Sequence, residues 1–205
     1  MYYKKYNIEV YRKGDDILRI RTRKLITIAL FAALTAIGSI IIIPIGTVPI
    51  TLQNMFPMLA GLIIGPEAAA MSQGVYLLLG IVGLPVFAGG TGGFNSIFNP
   101  SFGYVIGFIL SAFVIGKMGR IVDRLTFVKS VVICIVGTLV IYLIGIPYLY
   151  IVLNNVLGKK ITITYAIKIG FILFIPGDIL KIIVVSFISN KIVPLLKREN
   201  LIENR

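Results

Sequence analysis

Apolar residues along this chain fall into six long runs, which are separated by glycine, proline and charged positions. A helix needs roughly 20 apolar residues to cross the roughly 30 Å hydrocarbon core of a bilayer, and Gly/Pro clusters mark the turns between helices. The pattern therefore predicts six transmembrane helices, over residues 25–43, 52–64, 68–83, 104–118, 129–146 and 177–193. The second and third runs are short, so they require partner helices or a locally thinner bilayer.

Residues 147–176, between the last two runs, are interrupted by two asparagines, by Gly158 with two lysines, and by Pro176. We predict an excursion outside the membrane that contains a short helix. The predicted organisation is a basic N-terminal tail over residues 1–24, a membrane domain over 25–193 and a C-terminal tail over 194–205.

Composition agrees with an all-α integral membrane protein. Of the 205 residues, 58% are hydrophobic and the mean hydropathy is +0.98, whereas soluble domains are about 45–50% apolar. Histidine is absent and Cys134 is the one cysteine. These facts exclude a histidine-based triad, a Cys/His zinc site and an internal disulfide, and no cofactor or metal is predicted.

The net charge of +12 raises the question of a nucleic-acid partner. Most of the basic residues flank apolar runs, in the N-terminal tail, between the fourth and fifth runs, and near the C-terminus. Such charges set membrane orientation and contact anionic lipids. We therefore predict contact with a lipid bilayer, no nucleic-acid partner, and both termini in the cytoplasm.

Two charges lie inside the last apolar run. If a helix starts near Gly177, Asp178 and Lys181 lie on one face at i,i+3 spacing, with the carboxylate at the helix N-terminus. Ionisable residues inside a span cost on the order of 3 kcal/mol each, so they predict a functional site. The structural alternative is that Asp178 caps the helix while Lys181 neutralises it.

Residues 84–100 are uncharged and have four glycines within five positions, followed by Asn95. The Lys-Ser/Thr ending of a phosphate loop is missing, so the sequence does not predict nucleotide binding. The alternatives are a flexible surface loop and a lid or wall over an apolar ligand. Phe87, Phe94 and Phe98 favour the lid, because they are unfavourable in a solvated linker. We predict that Phe87, Thr91 and Asn95 contact that ligand.

Buried amides and small residues supply the remaining candidates. Gln53 and Gln73, with Tyr76, can donate and accept hydrogen bonds, either to a ligand or to neighbouring helices. In the first run, a stripe of small residues on one helix face permits close approach of another helix, inside or outside the bundle. This stripe consists of Ala29, Ala32, Ala33 and Ala36.

The sequence also resembles a known family. Segments 29–36, 48–53 (Val-Pro-Ile-Thr-Leu-Gln), 76–90 and 176–181 resemble, in order and spacing, the BioY family, the biotin-binding S components of prokaryotic energy-coupling factor (ECF) transporters. The resemblance implies a six-helix S-component bundle in the plasma membrane of a prokaryote, with biotin near the outer face. It also implies that the alanine stripe meets a membrane coupling protein, which acts with ATPase subunits. One motif departs from the family, which usually has Gly-Pro-Thr-Gly-Gly-Tyr where residues 99–104 read Asn-Pro-Ser-Phe-Gly-Tyr.

The chemistry of biotin fits the polar candidates. Asp178 can accept hydrogen bonds from the two ureido N–H groups, and Lys181 can bind either the ureido carbonyl or the carboxylate, while the thioether ring and valeryl chain suit aromatic walls. The sequence leaves open which end of biotin each charge faces. An alternative is an intramembrane enzyme that uses Asp178 as an acid or base, but the other acidic residues lie in tails or turns. A channel would need a line of polar residues along a pore, and the sequence has none.

Overall fold

The computed structural model describes residues 22–44, 48–122 and 124–199. Within these residues the fold is a helical bundle with one short hairpin, so the all-α prediction is confirmed. The helices are α1 (Thr22–Ile40), α2 (Met55–Ile64), α3 (Pro66–Val82), α4 (Phe102–Ile121), α5 (Phe127–Ile151), α6 (Ile163–Gly170) and α7 (Ile175–Arg198). The six predicted spans correspond in order to α1 to α5 and α7.

Local chemistry explains where several helices begin and end. Gly65, in a positive-φ conformation, and Pro66 separate α2 from α3, and Gly83 ends α3 in a left-handed conformation. The hydroxyl groups of Thr126 and Thr162 accept backbone N–H bonds at the starts of α5 and α6.

Four helical stretches of the described chain are long and apolar enough to cross a membrane: Thr22–Ile40, Phe102–Ile121, Phe127–Val156 and Ile163–Arg198. The last of these joins α6 to α7 through a 3₁₀ turn, Ile172–Phe174, so the sixth span is a broken helix. The ten-residue α2 is apolar but shorter, and α3 has seventeen residues. Both contact α4, which also packs along α5.

Several predicted helix boundaries were wrong. The first helix ends at Ile40 rather than at residue 43, because Ile42–Ile43 (β1) pairs antiparallel with Ile50–Thr51 (β2). Helix α5 continues through Pro147 to Ile151, and a π-helical turn follows it to Val156. Proline removes only one backbone hydrogen bond, and transmembrane helices tolerate it because neighbouring groups satisfy the freed carbonyl. Helix α7 extends to Arg198, beyond the predicted end at residue 193.

The bundle has two different ends. One end brings together the end of α1, the hairpin, the start of α2, residues 84–100 and the starts of α4 and α7, and its buried core is rich in aromatic residues. We call it the aromatic end. The opposite half has a mostly aliphatic core, and its turns and helix termini carry most of the described Lys and Arg residues. We call it the basic end.

Candidate ligand-binding site

The charged residues predicted in the last span form an ion pair at the aromatic end. Pro176 is the second residue of α7, and Asp178 follows in the first turn, where the helix dipole favours a negative charge. Lys181 lies one turn later, and its Nζ is 3.0 Å from Asp178 Oδ1. Both residues are buried, with 4% and 6% exposure. Buried charges persist only when they are paired and hydrogen-bonded, so their remaining partners define the site.

Two further residues form hydrogen bonds with this ion pair, and the sequence analysis identified neither of them. Asn54, just before α2, donates to Asp178 Oδ1 at 2.9 Å and accepts from Lys181 Nζ at 2.8 Å. The hydroxyl of Tyr142 in α5 donates to the second carboxylate oxygen of Asp178. We refer to Asn54, Tyr142, Asp178 and Lys181 as the polar array. It joins three helices through groups that are far apart in sequence.

A second hydrogen-bonded group lies beside the array. Gln53 donates from its side-chain nitrogen to the hydroxyl of Tyr76, which donates to the carbonyl of Val86 at 3.1 Å. Thr51 in β2 donates to Gln53 Oε1 at 3.1 Å. Gln53 thus links the hairpin, α3 and the segment after α3.

Gln73 lies elsewhere, with partners inside the bundle. It accepts a hydrogen bond from Thr35 of α1 at 3.3 Å and donates to Ser72 at 3.0 Å. This is the helix-to-helix alternative that the sequence left open.

Residues 84–100 form the cover of the site. Phe87 is buried, and its backbone N–H donates to the carbonyl of Thr91 at 2.9 Å. Its ring occupies the space beside Gly80, where any side chain would collide with it. Gly93 donates to the Gly80 carbonyl at 2.7 Å, which fixes the far side of the turn.

The remaining predicted residues of this segment point away from the bundle. Phe94 and Phe98 are 66% and 52% exposed, and Asn95 is exposed on the short 3₁₀ helix Phe94–Phe98. The structure therefore brings Phe87 and Thr91 to the site and leaves Asn95 outside it.

A cavity connects these groups. Its wall includes Gln53, Asn54, Phe87, Thr91, Tyr142, Asp178 and Lys181, together with Thr51, Ser96, Asn99, Ser101, Phe102, Tyr104, Phe108, Thr138, Ile141 and Phe174. The ring of Phe87 meets Tyr76 and Phe102 edge to face, at centroid distances of 5.6 and 6.0 Å. The cavity wall thus combines aromatic and polar groups, which is typical of sites for small organic ligands.

The break in the last span lies against this cavity. Tyr104 donates from its hydroxyl to the carbonyl of Gly170, the last residue of α6, at 2.9 Å. Phe171 packs edge to face on Tyr142, with centroids 4.8 Å apart. Irregular backbone inside a membrane occurs where it is buried in protein or lines a cavity, and broken helices commonly mark transporter binding sites.

The alanine stripe of α1 is divided between two environments. Ala32 is 2% exposed and packs in the aromatic core, whereas Ala29 and Ala33 are exposed and Ala36 is half-buried. Close packing inside the bundle therefore accounts for Ala32. Ala29 and Ala33 form a small-residue surface that another helix can approach.

Sequence signals for the missed residues were weak. Asn54 follows Gln53 at the start of an apolar run, and its polarity alone did not distinguish it from a turn residue. Tyr142 is one polar-tipped aromatic residue within a long apolar helix, where packing is its usual role.

Comparison with known proteins identifies close relatives. The family model described as the BioY family matches residues 11–198. A probable biotin transporter BioY from Lysinibacillus sphaericus is 45% identical over 157 residues, which cover 77% of this chain and 80% of that protein. The biotin transporter BioY of Thermotoga maritima is 35% identical over 167 residues, covering 82% and 94% respectively.

A solved structure has the same fold. It is the S-component for biotin from an ECF-type ABC transporter, and it matches with a TM-score of 0.73 and 31% sequence identity. The match covers 84% of this chain and 91% of that one.

Proposed function

The chain belongs to the BioY family, and we propose that it is the biotin-binding S component of an ECF transporter. The relatives described above are named biotin transporters, and the similar solved structure is an S-component for biotin. The observation that carries the proposal is the buried polar array on the wall of an aromatic cavity. An ion pair held this far from solvent is costly, and binding a polar ligand gives it a function.

The polar array matches the ureido ring of biotin. The carboxylate of Asp178 can accept from a ureido N–H, while Lys181 Nζ and Asn54 Nδ2 can donate to the ureido carbonyl. Asp178 and Lys181 together carry no net charge, so they suit a neutral polar group better than an additional anion. We assign the ureido edge to this array. The biotin carboxylate then lies toward the hydroxyl and amide groups of Thr91, Ser96, Asn99 and Ser101.

The aromatic wall suits the rest of the ligand. Phe87, Phe102, Phe108 and Phe174 line the cavity with Ile141, and they offer apolar surface to the thioether ring and the valeryl chain. Removing such surface from water contributes about 25 cal/mol per Å². The walls thus contribute affinity through apolar burial, while the array contributes both affinity and selectivity through its hydrogen bonds.

Uptake against a gradient requires energy that this chain does not supply. The sequence has no Gly-x-x-x-x-Gly-Lys-Ser/Thr loop for ATP. We therefore propose that a membrane coupling protein and ATPase subunits act with it, and that the coupling protein meets the exposed surface of Ala29 and Ala33. The chain is a multi-pass membrane protein, and we propose the plasma membrane as its location, with the basic end in the cytoplasm.

Calorimetry on the purified full-length protein tests the proposed function. We expect one biotin per chain, recovered unaltered, with no comparable binding of other vitamins. Asp178→Asn and Lys181→Ala should each weaken binding by about 10- to 150-fold, since each removes a charged hydrogen-bonding partner worth roughly 1.5–3 kcal/mol.

Exposed residues of the same helix provide matched controls. Lys191→Ala and Glu199→Gln alter charges of the same type near the basic end of α7, and they should leave the affinity unchanged. Unchanged affinity in folded Asp178→Asn would mean that the ion pair is only structural. Conversion of biotin to another product would instead support the enzyme alternative.

A further inference from the structure

An apolar groove lies on the outer surface of the bundle, between α5 and α6. Leu139, Leu143 and Ile146 line it from α5, and Ile163 and Ile167 line it from α6. Both helices belong to stretches long and apolar enough to cross a membrane. The groove is therefore open to hydrocarbon rather than to water.

This groove and the ligand cavity share a wall. Tyr142 lines both of them, and Phe171, which packs on its ring, also lines the groove. The hydroxyl of Tyr142 donates to Asp178 on the cavity side. Two aromatic rings thus separate the polar array from the membrane-facing groove, so whatever fills the groove supports that wall.

The charges beside the groove have one sign. Lys159 and Lys160 lie in the connection from α5 to α6, Lys168 lies in the last turn of α6, and all three are exposed. In the described part of the chain the acids are Glu67 and Glu199 at the basic end and the buried Asp178. Glu67 and Glu199 lie at the opposite end of the bundle, so neither can neutralise these lysines. Within the described residues, the positive charge that flanks the groove therefore has no neighbouring carboxylate.

We propose that the groove binds one acyl chain of an anionic phospholipid, whose phosphate lies near these lysines. Clusters of basic residues at a membrane surface bind anionic headgroups, and a lysine within the span can extend its amine toward the headgroups. An acyl chain in the groove gives the groove-facing atoms of Tyr142 and Phe171 the van der Waals partners that an empty groove would deny them.

A second copy of the chain fits the groove less well. In a two-fold symmetric dimer the same patch faces itself. The three lysines of each copy would then be brought near those of the other, with no described acid between them. Phospholipid supplies the opposite charge and the apolar chain in one molecule.

Native mass spectrometry of the full-length protein tests lipid binding directly. The protein is released from nanodiscs that contain equal amounts of phosphatidylglycerol and phosphatidylcholine with identical chains. We expect one retained phosphatidylglycerol per chain. Filling the groove with Leu143→Trp or Ile167→Trp should abolish its retention.

Removal of the charges tests the headgroup contact separately. We combine Lys159→Gln and Lys168→Gln with Lys160→Asn, because Lys160 has a φ of 47° that asparagine tolerates. This variant should retain both lipids equally. Leu110→Trp, at an exposed apolar position of α4, is the matched control and should behave like the original protein. Three results would overturn the proposal: equal retention of both lipids by the original protein, unchanged retention in both Leu143→Trp and Ile167→Trp, or a mass of two chains.

A second measurement tests support of the shared wall, and it rests on the proposed function. Biotin affinity should be on the order of 5-fold higher in phosphatidylglycerol than in phosphatidylcholine nanodiscs, at the lower end of typical coupling between sites. The difference should disappear in Leu143→Trp. Equal affinities in the two lipids would show that the wall needs no lipid. Absence of biotin binding in either lipid would refute the proposed function and leave the lipid result standing.

Discussion

Asp178 and Lys181 are costly to place in a membrane, since insertion of either type of residue at a helix centre costs about 2.5–3.5 kcal/mol. Their mutual contact and the bonds from Asn54 and Tyr142 offset this cost. Removing one member of a buried pair typically costs about 3–5 kcal/mol because the other charge is left uncompensated. The array is thus held in one geometry, which lowers the entropy that a ligand must lose on binding.

Asn54 is the residue that fixes the geometry of the pair. It contacts both charges at once, so Asn54→Ala leaves Lys181 and Asp178 with only one another and Tyr142. We expect biotin binding to weaken by roughly tenfold, which corresponds to about 1.4 kcal/mol, and calorimetry on the purified variant measures it.

Asn95 provides the matched comparison for Asn54. It was predicted from sequence to contact the ligand, but it is exposed and does not line the cavity. Asn95→Ala should therefore leave the affinity unchanged. An equal loss in both variants would mean that residues 84–100 turn inward when biotin binds and bring Asn95 into the site.

Only part of the array could be predicted from the sequence. Two charges three residues apart inside an apolar run are visible without a structure, because burial of charge demands an explanation. Asn54 and Asp178 are separated by 124 positions. Their contact depends on how α2 and α7 cross, and neither helix encodes that crossing alone.

At the scale of elements, hydrophobic runs predicted the order of the helices but not all of their ends. Pro147 was read as a boundary, although α5 continues to Ile151. In a bilayer an interrupted helix would expose backbone groups to hydrocarbon, so the membrane favours continuation through proline. Conversely, Ile42 and Ile43 looked helical by composition but pair with β2 in a short hairpin, which apolarity alone does not reveal.

Residues 84–100 are expected to act as the cover through which biotin gains access. Hydrogen bonds hold the segment in place: the Gly93 N–H donates to the Gly80 carbonyl, and the Tyr148 hydroxyl donates to the Ile97 carbonyl. Opening therefore requires only a few hydrogen bonds to break. A ligand that binds only the closed form lowers the equilibrium population of the open form by about 100-fold when its concentration is a hundred times its dissociation constant.

Hydrogen exchange measured with and without biotin tests this expectation. Amides of residues 84–93 should exchange more slowly at saturation, while those in the turn between α4 and α5 should not change and serve as the internal reference. If exchange in residues 84–93 is the same with and without biotin, residues 84–100 form a fixed wall, and biotin must enter through another opening.

Neighbouring alanines of α1 should respond differently to substitution, because some are exposed and others are buried. Ala33→Leu adds bulk at an exposed position where the coupling protein is proposed to approach, so co-purification with the coupling complex should weaken by about tenfold. ATP-dependent uptake should fall with it, while biotin binding by the isolated protein stays intact.

Ala32 is the control that separates docking from folding. It lies one position away but is buried in the bundle, so Ala32→Leu should overpack the core and lower thermal stability by about 1–3 kcal/mol. Ala29→Leu should behave like Ala33→Leu. Normal assembly and uptake in both exposed-site variants would exclude this face of α1 as the docking surface.

The whole molecule is asymmetric in charge along the direction of its helices. The cavity and its cover occupy one end. The cations at the other, basic end include Arg23, Lys117, Arg120, Arg124 and Lys197. Short loops rich in Lys and Arg remain in the cytoplasm. This asymmetry therefore predicts that the cavity faces the outside, as uptake of an external vitamin requires.

Labelling of single cysteines with a membrane-impermeant maleimide tests this orientation, and the chain is suited to it because its native Cys134 is 0% exposed. Arg124→Cys lies in the turn between α4 and α5 at the basic end, and Lys159→Cys lies between α5 and α6 at the aromatic end; both positions are exposed. Because positively charged loops stay inside, Lys159→Cys should react in intact cells and Arg124→Cys only in inverted vesicles. The original protein should remain unlabelled in both. The reverse pattern would place the cavity in the cytoplasm, where it could not capture external biotin, and would refute uptake even if biotin binding were intact.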